Sequence, residues 1–137
     1  MTEVFSKEER AAMRAAAKER KLEQTRSESL AATLERIESM APSDRKLALA
    51  VHEIAVAVYP DFEVKTWYGM PAYYKDGQVV VFFQDGEKFK TRYCTLGFQQ
   101  AAQLDSGNLW PTSYALAKVD SKVSSEIAAL IRQAVGL

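Results

Sequence analysis

A chain of 137 residues, 47% of them hydrophobic, is enough for one domain with its own core. Eighteen Lys and Arg balance eighteen Asp and Glu, so a partner held mainly by long-range charge, nucleic acid included, is disfavoured. The single cysteine, Cys94, excludes an internal disulfide, and no run is apolar enough for a signal segment or a bilayer span, so a cytoplasmic protein without membrane contact is expected.

Ser6 followed by Glu9 is a capping box, and an alanine-rich helix is expected behind it to about Gln24. Glu8 and Glu9 near its start and Arg20 and Lys21 near its end suit the helix dipole. Arg10, Arg14, Lys18 and Lys21 form a basic stripe, while the apolar face is mostly alanine and can bury little. Residues 1–26 therefore read as a charged helix or arm ahead of a single domain over 27–137. Ser27 or Ser29 is expected to start a second helix through Met40, with Leu30, Leu34, Ile37 and Met40 at helical spacing. Pro42 ends that segment. Ser43 or Asp44 then caps a third helix to about Tyr59, with Leu47, Val51, Ile54, Ala55 and Val58 as its core stripe.

The strand-rich centre follows, starting with a first strand from Val64 to Gly69. Gly69-Met70-Pro71 punctuates it and predicts a bulge or strand break, because proline removes a ladder N–H and holds Met70 extended. Asp76-Gly77 and Asp85-Gly86 both predict type I′ hairpin turns. Between them Val79 to Phe83 is apolar without alternation, as in a strand covered on both faces. The run after Gly86 alternates, which would put Lys88, Lys90 and Arg92 on one face and Phe89, Thr91 and Tyr93 on the other. QQAAQL can form a short helix, Asp105 to Asn108 a loop, and Trp110-Pro111 opens a last extended run. Asp120 or Ser121 caps a closing helix with Val123, Ile127, Leu130, Ile131 and Ala134 inward and Gly136 as its stop. Strands are grouped rather than alternating with helices. The expected class is α+β: a curved antiparallel sheet of about five strands, with N-terminal helices and a C-terminal helix packed against it.

The strings KTWYGMPAYYKDGQVVVFFQ, KFKTRYCTLGF and LWPTSYAL, with the closing IAALIRQAVG, resemble the YdhG-like family of small bacterial proteins, domain-of-unknown-function family 1801. The likeness runs from about Ile37 to the end and, in one branch, includes the SKEERAAM helix. It implies a curved antiparallel sheet backed by helices. Some relatives carry a frataxin-like, iron-chaperone label, which implies an acidic ridge. Here the matching positions hold Lys88, Lys90 and Arg92, and the best local acid pair, Glu35 and Glu38, has Arg36 between them. No metal site and no cofactor is expected.

Cys94 and His52 are the only thiol and imidazole, with nothing local to orient the histidine, so a catalytic pair is not expected and the protein reads as non-enzymatic. The rings are more suggestive. Trp67, Tyr68, Tyr73, Tyr93 and Trp110, with Met70 near the break and Lys90 and Arg92 as cations, could line a concave sheet face that takes a small ligand, a metal or a protein partner. Half of them as plain core is the competing reading. The alternatives are an iron-chaperone-like role and binding of nucleic acid or an acidic partner through the basic helix and strand.

Overall fold

The computed structural model describes residues 4–137. The first helix, α1 (Lys7–Glu38), starts at the predicted Ser6 cap, whose hydroxyl accepts the Glu9 N–H at 3.1 Å. It does not stop near Gln24. The two helices expected before Met40 are one, because no glycine or proline separates them. Both threonines inside it bond to the helix itself: Thr25 donates to the Lys21 carbonyl at 3.0 Å and Thr33 to that of Ser29 at 2.8 Å. Residues 7–28 of α1 are exposed apart from Arg10 and Ala16, as an alanine face predicts, and Thr33 and Ile37 are buried. The start of the arm, residues 1–3, lies outside the described residues.

Pro42 opens α2 (Pro42–Val58) instead of merely ending what precedes it, occupying the first helical position where a missing N–H costs nothing. The N-cap is Ala41, without a side-chain bond, so neither Ser43 nor Asp44 caps the helix. Ala48, Val51 and Ala55 are its buried stripe.

Five strands form one antiparallel sheet in sequence order: β1 (Glu63–Trp67), β2 (Met70–Lys75), β3 (Gln78–Gln84), β4 (Cys94–Phe98) and β5 (Ser113–Leu116). Two tight turns are left-handed, the predicted one at Asp76-Gly77 and another at Tyr68-Gly69, while Asp85-Gly86 makes none. Asp76 and Gly77 have φ of 51° and 77°, and Tyr68 and Gly69 have 50° and 76°. The expected break at Gly69-Met70-Pro71 is thus a hairpin turn one residue earlier, with Pro71 inside β2 opposite Thr66. The irregularity in the ladder lies instead between Tyr73 and Tyr74. There β3 carries one extra residue, and Val80 and Val81 are both buried.

The largest departure is residues 85–93. Asp85 has φ of −76° and caps a single helical turn, α3 (Gly86–Phe89), and Lys90 closes it at φ 56°. The strand resumes only at Cys94, so Lys88, Lys90 and Arg92 do not form a strand face. QQAAQL is a turn rather than a helix. The last helix, α4 (Ser121–Ala134), is capped as predicted, Asp120 accepting the Val123 N–H at 2.9 Å.

The helices α1, α2 and α4 share one face of the sheet. Val64, Tyr73, Val81, Phe83, Leu96, Phe98 and Leu116 join one core with Ile37, Val51, Ala55, Ile127 and Ile131. Each Val, Leu, Ile and Phe among them contributes about 1.5–3 kcal/mol through burial. The register puts Lys65, Trp67, Met70, Ala72, Phe82 and Gly97 on the far face. Trp67 and Phe82 rings lie 5.2 Å apart there, and a Cβ at 97 would collide with the Phe82 ring, which rests on that glycine. So β3 is covered by helices on one side, and on the other its own Phe82 ring lies between Gly97 of β4 and Trp67 of β1.

Candidate functional site

Two carboxylates hold the 85–93 connection against the helices. Asp85, almost fully buried, takes the Arg36 Nη2 of α1 at 2.9 Å; Arg36 Nε is buried without a partner. Asp44, in the first turn of α2, uses both oxygens: Oδ2 accepts the Glu87 N–H at 3.0 Å and Oδ1 accepts the Cys94 thiol at 3.2 Å. Burial pushes that thiol up to about 11, against a hydrogen bond from the Gly86 backbone that pulls it down, and the Asp44 carboxylate adds to the rise. Cys94 is therefore a protonated donor at neutral pH rather than a nucleophile. His52 faces elsewhere, its Nδ1 2.9 Å from the Tyr73 hydroxyl, and burial holds its pKa below the usual value, partly offset by Glu53. The two residues thus have separate partners.

Folding the connection back in this way leaves a groove of about 510 Å³ beside it. Leu47, Ala50, Cys94, Leu116 and Val119 make its floor, and Lys46, Arg92 and Lys118 stand at its rim. The Arg92 guanidinium lies 5.2 Å from the Tyr93 ring centre, which forms part of the wall. A second groove, about 340 Å³, runs between β5 and α4 and is lined mainly by Leu96, Tyr114, Val123, Ile127 and Leu130. Both include Leu116, Ala117 and Lys118, so they form one trough along the β5 side of the sheet.

The sequence-predicted site residues do not converge in one hollow. Trp67 and Met70 lie on the far face, and Tyr68 sits 80% exposed at the β1–β2 turn with its ring 5.0 Å from Trp67. Tyr73 is fully buried on the helix face, so it cannot join them. Its phenol, already bonded to His52, is pushed above its usual range by burial. Trp110 packs at the margin of the core in the segment before β5. Lys90 is an exposed loop residue. Only Arg92 and Tyr93 reach the trough. Asp44, Lys46 and Lys118 were missed as site residues, since nothing local distinguishes them from ordinary helix-end and connector charges.

Among the described residues, no three His, Cys, Asp or Glu side chains lie together as a metal would need. No described helix is long and apolar enough to cross a membrane. Comparison of the chain with family models, with curated proteins and with solved structures found no match.

Proposed function

We propose that this protein is a binding module, without catalysis of its own, whose partner lies in the trough along β5. The carrying observation is the trough itself: an apolar floor with three cations at the rim of its larger groove, where the one carboxylate, Asp44, is already occupied by Cys94 and Glu87. The α4 groove adds Glu126 and Asp120, the latter accepting the Val123 N–H. Ligand sites combine an apolar lining with a few fixed polar groups in this way. The protonated Cys94 supports binding over nucleophilic chemistry. The YdhG-like motif strings support membership of that family, and the β1–β2 and β2–β3 hairpins are built from them.

A fragment and metabolite screen read by amide NMR shifts tests this. Hits should move the amides of Leu47, Ala50, Leu116 and Val119, and Ala50→Trp, which fills the floor, should abolish them. Hits confined to Trp67, Tyr68 and Phe82, or a complete absence of hits, would overturn it. The first of those outcomes would favour a second reading, in which the far-face rings take the ligand; Tyr68 supports it, since a bulky exposed residue at positive φ is unusual.

A further inference from the structure

The sheet ends in two edges that are treated differently. At the β1 edge the chain is charged, with Glu63 and Lys65 3.7 Å apart, and α1 packs against the strand and reaches the preceding loop through Arg26 Nη2 and the Asp61 carbonyl, 3.2 Å apart. Such charges and covering elements protect an edge from pairing. The β5 edge has neither. Ser113–Leu116 reads Ser-Tyr-Ala-Leu, without a charge, a proline or a bulge.

The register fixes which backbone groups are free. Phe98 N–H donates to the Thr112 carbonyl at 2.8 Å, so 98 and 112 are a hydrogen-bonded pair. Alternation along an antiparallel ladder then turns Tyr114 and Leu116 toward β4, and Ser113 and Ala115 outward. Both outward residues are small and exposed. Inward of this edge lies the trough, mostly apolar beside α4, where Glu126 and the helix-capping Asp120 also line it, and cationic in the groove lined by Lys46, Arg92 and Lys118. Neither Lys46 nor Lys118 has an ion-pair partner among the described residues.

We infer that β5 accepts an extended peptide of a partner protein as a sixth strand, with an apolar side chain in the α4 groove and an acidic side chain two residues away at the Lys46–Arg92–Lys118 rim. This rests on the reading of the trough as the binding site and names its occupant. Backbone pairing supplies affinity in such strand addition, and alternate side chains supply selectivity. A second copy fits less well. Two-fold pairing centred on Ala115 would set Lys118 against the second copy's Thr112 rather than against an acid.

The probes are acetylated, amidated heptapeptides with Val, Leu or Tyr at the fourth position and Glu or Gln at the sixth. The Glu peptides should shift the Ser113 and Ala115 amides, and the Gln peptides should bind at least tenfold more weakly. Ala115→Pro should abolish binding while leaving the fold intact, because its N–H faces outward and makes no ladder bond. Lys118→Glu, a surface change, should weaken the Glu peptides at least tenfold and provides a second check should Ala115→Pro unfold. Peptides that fail while small fragments still bind the trough would overturn this inference and leave the site standing; failure of both would remove the site as well. Equal binding of Glu and Gln peptides, or a concentration-dependent dimer that Ala115→Pro dissolves, would also overturn it.

Discussion

Asp76-Gly77 and Asp85-Gly86 are the same dipeptide, each following a β-prone run, and the chain uses them differently. At the first, both residues take positive φ, the aspartate is exposed, and β2 turns directly into β3. At the second, the aspartate is extended and buried, its carboxylate held by Arg36 from 49 residues upstream. The lesson is one of competition. A left-handed turn leaves its first side chain in water, and a buried guanidinium within reach offers that carboxylate a better partner. One end of the sheet is shaped by backbone preference, the other by charges brought from two helices.

Removing those charges is the strongest way to break the contrast. Asp85→Ala should cost about 3 kcal/mol in urea unfolding, because it strands a largely buried Arg36. Asp76→Ala should cost about 1 kcal/mol, only the strain of alanine in a left-handed turn. Arg36→Met added to Asp85→Ala should recover part of the loss, the non-additivity expected of a direct pair. Equal costs at 76 and 85 would erase the distinction.

The glycines sharpen it next. Gly77→Ala should cost about 1–2 kcal/mol from φ alone, since a Cβ there meets nothing within 4 Å. Gly86 is not at positive φ, and its Cβ would lie 3.3 Å from the Thr91 carbonyl oxygen in an exposed loop that can yield. Gly86→Ala should therefore cost less, below about 1 kcal/mol. Paired thermal melts of the two variants decide it.

The smallest effect concerns a polar pair belonging to neither end. His52 is held neutral by burial, with its folded pKa below the ordinary 6.5. The unfolded chain then binds the proton more readily, so stability is complete above 6.5 and declines as pH falls from there toward the lower folded value. Melting temperatures between pH 7.5 and 5 should show a shallow fall that His52→Gln reduces. A profile unchanged by the substitution would assign the slope to other groups.

What could be read from the sequence follows the same division. The turn at Asp76-Gly77, the Ser6 and Asp120 caps and the inward face of α4 depend on residues within a few positions of one another, and they stand as predicted. On α2, Val51 and Ala55 are buried as predicted, Leu47, Ile54 and Val58 are only partly covered, and Ala48 joins the buried stripe. The course of residues 85–93 depends on Arg36 and Asp44, and no local pattern contains that information. The site suffered accordingly. Arg92 and Tyr93 were singled out, but as part of a strand that does not form, and they reach the trough because the connection folds back onto α2. Tyr73 was misplaced because the faces of β2 could not be assigned before the turn at Tyr68-Gly69 had fixed the register.

The uninterrupted course of α1 has a mechanical consequence. From Lys7 to Gln24 it runs about 27 Å as one exposed rod, and its far half is cemented into the core by Leu34 and Ile37. A dye fixed near Lys7 should rotate at the rate of the whole particle instead of wobbling freely. Whatever grips that tip gains a handle by which the entire sheet can be oriented.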